Sequence, residues 1–293
     1  MYKSLADAIR DAEEKQLSLS RLALETESRD QGRPVAEIRA ALQRALDVMR
    51  GAVAQGMTGD MYSASGLVGG DAAKLRTGPD GPLSGTPFRD ILARALAVQE
   101  VNAAMGVIVA APTAGGAGVL PAVLTGLAAA RSIPDETVVD ALAVAGLIGA
   151  VIAERASLSG AEGGCQAETG AAAAMAAGAA VEMLGGTPAQ SGHAAALAMQ
   201  GTLGLVCDPL GGFVELPCVF RNATGSAIAL TGIELAMAGV EFRIPVDEVI
   251  DVMGQIGKEM DVRYRETAGG GLAATPTGRR LAKERLVQIK RAE

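Results

Sequence analysis

The sequence predicts an all-α fold, on three observations. Apolar residues make up 49% of the chain and are mostly Ala, Val, Leu and Ile, with no Trp, three Tyr and four Phe. Alanine has the best helix propensity, and small side chains let helix backbones approach closely. Apolar positions recur at helical spacing over long stretches, and no strand-like alternation persists. Gly- and Pro-rich segments punctuate these stretches without the regular period of a repeat architecture.

The elements follow in order. Residues 1–56 carry two or three amphipathic helices. Ser4-Leu5-Ala6-Asp7 has the form of a capping box with Asp in the Glu position, and Leu5, Ile9 and Ala12 keep helical spacing behind it. The turn 28–34 ends in Pro34, which suits the start of the next helix, and residues 35–54 then place Ile38, Leu42, Leu46 and Met49 on one face. Residues 56–87, rich in Gly, Ser, Thr and Pro, read as an irregular loop of functional length. Helices are expected over 87–105, 119–130 and 135–153, and from the glycine turn 157–165 to Leu184. Others are expected over 187–203, 221–237 and 246–260, with further glycine loops at 110–118, 207–218 and 269–279. Charge concentrates towards the two ends. The whole, 1–293, reads as a single helical unit: N-terminal helices over 1–56, and a core over 57–293 that carries the site.

Composition narrows the function. The formal net charge of −7 and the shortage of aromatic rings disfavour a nucleic-acid partner, which needs a basic surface and stacking platforms. The start of the chain lacks the apolar stretch of a signal peptide. Together with three cysteines, an odd number, this points to a reducing cytoplasm. The apolar run 141–153 is shorter than the roughly 20 residues a bilayer requires, and Pro112, Pro121 and the glycines at 115–118 break the run 101–130. No membrane span is expected.

Cys165, Cys207 and Cys218 are the only cysteines. No pair has the close spacing of an ordinary zinc site. Three readings stay open from the residues alone: buried thiols acting as small hydrophobes, a Cys₃His zinc site using His193, the only histidine, and three ligands of a [4Fe–4S] cluster whose fourth iron is left free. Such an iron acts as a Lewis acid on a substrate oxygen.

Set side by side, the loops carry a resemblance. The segments are Ser63-Ala64-Ser65-Gly66-Leu67-Val68-Gly69-Gly70-Asp71, Glu100-Val101-Asn102-Ala103-Ala104-Met105-Gly106 and Ala111-Pro112-Thr113-Ala114-Gly115. To these add residues 157–168 around Cys165, Gly204-Leu205-Val206-Cys207-Asp208-Pro209, Pro217-Cys218-Val219-Phe220-Arg221-Asn222 and Arg265-Glu266-Thr267. In these the chain resembles the α subunit of the iron–sulfur-dependent L-serine dehydratases, over nearly its whole length. The resemblance implies a helical catalytic domain with glycine-rich loops converging on a [4Fe–4S] cluster held by Cys165, Cys207 and Cys218. It implies L-serine as substrate, pyruvate and ammonia as products, a separate β subunit in an oligomeric assembly, and a place in amino-acid degradation and gluconeogenesis. The chain departs from some relatives in having Arg155 and Ala114 where they have Asn, and in ending without a terminal cysteine.

On this reading Ser63, Ser65, Gly66, Thr113, Ser159 and Gly160 hold the substrate through hydroxyls and backbone groups. Lys74 is the candidate base, if burial lowers its pKa. His193 reads as a structural residue on a helix surface. Glu162, Glu168 and Asp208 orient neighbours or cap helices, and Arg221 and Arg265 are candidate carboxylate partners. The alternatives are a cluster lyase acting on another β-substituted amino acid such as cysteine, pyridoxal-phosphate catalysis, and a non-catalytic helical scaffold. The absence of lysine between Lys74 and Lys258 speaks against pyridoxal phosphate.

Overall fold

A computed structural model describes residues 2–292, with side chains described through Arg285. Thirteen α-helices and no strand occur among the described residues, so the chain is all-α. In order these are α1 (Leu5–Glu14), α2 (Leu19–Gln31), α3 (Val35–Gly56), α4 (Asp71–Thr77), α5 (Pro87–Ala103), α6 (Val119–Arg131) and α7 (Asp135–Arg155). There follow α8 (Gly160–Gly163), α9 (Ala171–Met183), α10 (Pro188–Gln200), α11 (Cys218–Met237), α12 (Val246–Glu259) and α13 (Pro276–Ala292).

The centre is α9. Alanine makes up eight of its thirteen residues, and every residue except Glu182 is buried. With methyl groups for side chains, it admits α7, α10, α11 and α6 as neighbours on all sides. Larger residues of those neighbours, Ile148, Ile152, Leu124 and Met199 among them, fill the space between and are fully buried. The apolar run expected over 141–153 extends into the 21-residue α7. By length and composition α7 and the segment Ala114–Arg131 are each long enough to cross a membrane, but most of each is buried against neighbouring helices.

Long-range caps hold the N-terminal helices on this core. Ser4 does cap α1, accepting from Asp7 N at 3.0 Å. The acid that completes the cap is Asp247 of α12, which accepts from Ser4 Oγ (2.8 Å), Leu5 N (2.8 Å) and Ala6 N (3.0 Å). Glu182 does the same for α2, taking Leu19 N at 2.9 Å and Ser20 N at 2.8 Å. Both acids sit where the positive end of a helix dipole favours them.

Two segments read as loops contain helix. Residues 71–77 form α4, whose first amides, Asp71 N and Ala72 N, donate to the buried Glu100 of α5 at 2.6 and 3.1 Å. The cap lies 29 residues away in sequence, so local pattern does not reveal it. Likewise α13 starts at Pro276, inside the stretch expected to be loop, with proline at a first-turn position that tolerates it.

Candidate functional site

Three buried thiols come from three different segments. Cys165 follows α8 and opens a π-helical turn, Gln166–Gly170, which leads into α9. Turns of this wide type recur at functional sites. Cys207 lies in extended chain and bridges Arg265: its amide donates to Tyr264 O and its carbonyl accepts from Glu266 N, each at 2.8 Å. Cys218 is the first residue of α11. The three are 2%, 1% and 5% exposed, and none is in a disulfide.

Side-chain amides tie these segments together. Gln166, fully buried, donates from Nε2 to Gly163 O (2.9 Å) and Met253 O (3.2 Å) and accepts from Gly204 N at Oε1 (2.9 Å). It thereby joins the Cys165 turn to the chain entering Cys207. Asn222 accepts from Gly118 N (2.8 Å) and donates to Gly115 O (2.7 Å) and Cys218 O (2.9 Å). It joins the loop before α6 to the start of α11. Buried amides with every bond satisfied fix a unique geometry, because losing any partner leaves a costly orphan.

Electrostatically the site disfavours thiolates as it stands. Burial pushes all three thiols up, Cys218 to about 12, and the neighbouring thiols' charges push Cys207 and Cys218 further in the same direction. That mutual effect places the three within electrostatic reach of one another. Arg221 opposes it at Cys165 and Cys218, as does the Thr169 hydroxyl, 3.1 Å from Cys165 Sγ. Arg221 pairs with Asp208 at 2.8 Å and donates to Val206 O at 2.8 Å. With Thr169, Gly204 and Leu205 it lines a cavity of about 330 Å³.

Glu168 stands beside Cys207, its Oε2 3.9 Å from the sulfur. Burial raises its pKa, the hydrogen bond from Thr113 Oγ1 (2.7 Å) opposes the shift, and the Glu266 charge adds to it. Gly115 and Gly160 make room for this carboxyl: a Cβ at either would lie 2.7 Å from Glu168 Oε2, and at Gly160 also 3.1 Å from Cys207 Sγ. These two glycines are therefore required by close approach. Glu266, the residue after Arg265, holds a left-handed φ of 63°, a backbone state that costs a non-glycine residue about 1 kcal/mol or more.

The sequence-predicted substrate residues fall into this picture unevenly. Thr113 and Gly160 flank Glu168, as described. Ser63 and Ser65 are buried and both donate to Glu215 Oε2, Ser63 at 2.8 Å. Their oxygens accept Val68 N (3.4 Å) and Leu67 N (3.0 Å). Gly66 has φ 67° and donates its amide to Ser63 O at 2.9 Å, closing the turn. Ser159 precedes α8 without capping it through its side chain.

The structure corrects the expectation for Lys74. Its side chain is 73% exposed and sits 2.8 Å from Asp71. Hydrogen bonding to Asp71, not burial, dominates, and raises its pKa instead of lowering it, so it remains a cation. Arg155, a departure from some relatives, pairs with Asp251 at 2.6 Å. His193 lies on α10 and lines a surface cleft with Ile9, Glu13 and Phe242. Among the described residues no three Cys, His, Asp or Glu side chains are placed to hold a single metal ion. Sequence reasoning missed Glu215, whose only local signal is its position between two cysteines.

Comparison with known proteins agrees across nearly the whole chain. A sequence model of the family described as "Serine dehydratase alpha chain" matches residues 14–273. The "Probable L-serine dehydratase, alpha chain" of Bacillus subtilis (strain 168) is 46% identical over 288 residues, covering 97% of this chain and 95% of that protein. The "L-serine dehydratase, alpha chain" of Peptoniphilus asaccharolyticus is 40% identical over 97% of this chain and 98% of its own length. The "L-serine dehydratase" of Streptomyces coelicolor is 42% identical over 93% of this chain, which spans 60% of that longer protein.

Proposed function

The chain belongs to the serine dehydratase alpha chain family, and from that premise we propose that it is the catalytic part of an L-serine ammonia-lyase, releasing pyruvate and ammonia. The reading takes Cys165, Cys207 and Cys218 as ligands of a [4Fe–4S] cluster. The observation that carries it is the trio itself: three buried thiols in no disulfide, supplied by three segments, two of which Gln166 ties together. Thiols kept protonated by burial and by each other become thiolates when a highly charged cation supplies the missing compensation. Soft thiolate donors suit an iron–sulfur centre. Ligands at separate corners of a cluster need not converge on one ion. When bound, the cluster supplies a Lewis-acidic iron for the substrate hydroxyl.

The chain's own groups do the rest. Deamination requires loss of the Cα proton and departure of the hydroxyl, after which the aminoacrylate tautomerises and hydrolyses. Ser63, Ser65 and Thr113 donate their hydrogens to Glu215 and Glu168. What they can offer a ligand is oxygen lone pairs, which fits the substrate ammonium. On this reading Gly66, Ser159 and Gly160 offer backbone groups to the substrate. Glu168, raised above the ordinary carboxylate range, is placed to exchange a proton at Oε2 beside Cys207. The Cα proton goes to a base other than the exposed Lys74. Relatives named as alpha chains support a separate β chain as partner, in an oligomeric enzyme of the cytoplasm.

Iron and acid-labile sulfide content of anaerobically purified protein, with serine turnover before and after air, tests the reading. Stoichiometric iron and sulfide with air-sensitive ammonia release is expected. Turnover by iron-free protein overturns it.

A further inference from the structure

Arg265 is a cation whose charge reaches Asp261 but which no carboxylate meets directly among the described residues. Its bridge with Cys207 sets its place, because residues paired across a bridge present their side chains to the same side. The Arg265 and Cys207 side chains therefore leave the backbone on one face. The residue is half-buried, and its Nε is buried without a hydrogen-bond partner. No carboxylate forms an ion pair with it among the described residues. Of the acids in this region, Asp261 is engaged by Arg263 (3.1 and 3.0 Å), Asp208 by Arg221 and by Leu272 N (2.6 Å), and Glu168 by Thr113, while Glu266, the next residue, acts on Glu168. A guanidinium has five donors and no acceptor, and a buried nitrogen among them without a partner is costly unless a ligand supplies one.

The other polar groups leave the same gap. An amino-acid substrate brings an ammonium and a carboxylate. The hydroxyls of Ser63, Ser65 and Thr113 donate to acids and can serve the ammonium only as acceptors. The second arginine, Arg221, is held by Asp208 and Val206 O. A carboxylate needs donors, and Arg265 has them. We infer that Arg265 binds the substrate α-carboxylate through its planar fork and so selects substrates that carry a free carboxylate beside the reacting carbon. The inference rests on the lyase reading above.

The test compares wild type, Arg265→Gln and Arg265→Lys as anaerobically purified holoenzyme. The measurements are iron and sulfide content, calorimetric binding of L-serine, and ammonia release from L-serine and from L-serinamide, which lacks the carboxylate. Expected for Arg265→Gln are wild-type iron and sulfide and a KM and Kd for L-serine raised about 10- to 100-fold, as for loss of a charge-assisted contact. The preference for L-serine over L-serinamide collapses, and Arg265→Lys recovers part of it. Unchanged serine binding in Arg265→Gln overturns the inference. So does loss of iron with an unchanged KM in the loaded fraction, which makes Arg265 a support for the thiol site instead. Iron-loaded wild type that binds L-serine but releases no ammonia defeats the lyase reading, and the binding comparison still decides the role of Arg265.

Discussion

The alanine helix α9 and the loop cluster around the thiols adjoin at Gly170 but are built on opposite principles. In α9 burial is achieved with groups that ask for nothing, methyls against methyls, and stability comes from area and close packing. In the loop cluster burial is imposed on groups that demand partners: Gln166, Asn222, Glu215, Ser63 and Ser65 are buried and Glu168 is half-buried. Each is bonded to a segment distant in sequence. The first region tolerates any exchange that keeps its volume. The second tolerates almost none, because each side chain there satisfies atoms that nothing else reaches. The fold therefore separates the part that holds the molecule together from the part that positions chemistry.

Substitutions in each region sharpen or break that contrast. The largest expected effect is at Cys165→Ala: visible cluster absorbance and ammonia release both fall to background while the thermal midpoint of the cluster-free chain is preserved. A variant that keeps wild-type absorbance refutes the ligand assignment. Asn222→Ala orphans Gly118 N and Gly115 O and should cost about 2–4 kcal/mol in urea unfolding, with iron content falling as well. Loss of stability without loss of iron would show that the tie is dispensable to the site. In the core, Ala176→Leu forces a larger side chain against fully buried neighbours and should cost about 1–3 kcal/mol. The KM of the surviving folded enzyme should not change, and a raised KM would break the separation. Asp247→Ala, which uncaps α1, should cost about 1–2 kcal/mol, read as early loss of helical signal on heating, with turnover unaffected.

The smallest effect is at Glu100→Gln. Burial raises the Glu100 pKa against the opposing pull of the backbone amides it caps, and its Oε2 has no partner. A carboxyl whose pKa is higher folded than unfolded binds more protons in the native state. Its stabilising contribution is full below the unfolded pKa and is lost as pH rises through the folded one. The wild type should therefore weaken as pH climbs above the ordinary glutamate range, and Glu100→Gln, which keeps an oxygen for the α4 cap, should lose that part of the slope. Urea midpoints across pH measure it. Parallel slopes would show that Glu100 does not titrate in that window.

Legibility in the sequence follows the same division. Helix type and position were readable wherever the signal is local. Thr187 and Gln190 form a reciprocal capping box at α10, Pro87 opens α5, and Gly32 in the left-handed region ends α2. The three cysteines could be singled out by the company they keep. What could not be read is what depends on partners across the chain. Residues 71–77 are a helix whose first amides Glu100 caps, and Lys74 lies in solvent beside Asp71. Ser63 and Ser65 face Glu215, 152 and 150 positions away. Hydroxyl-rich loops announce that something polar is nearby but not which groups already engage their hydrogens.

The cap on the first helix also carries a consequence for synthesis. Leu5 N is bonded to a carboxylate 242 positions later, so the cap on α1 forms only after the chain through Asp247 has been made. A nascent chain arrested before residue 247 should expose the N-terminal region to protease, and one arrested beyond α12 should shield it.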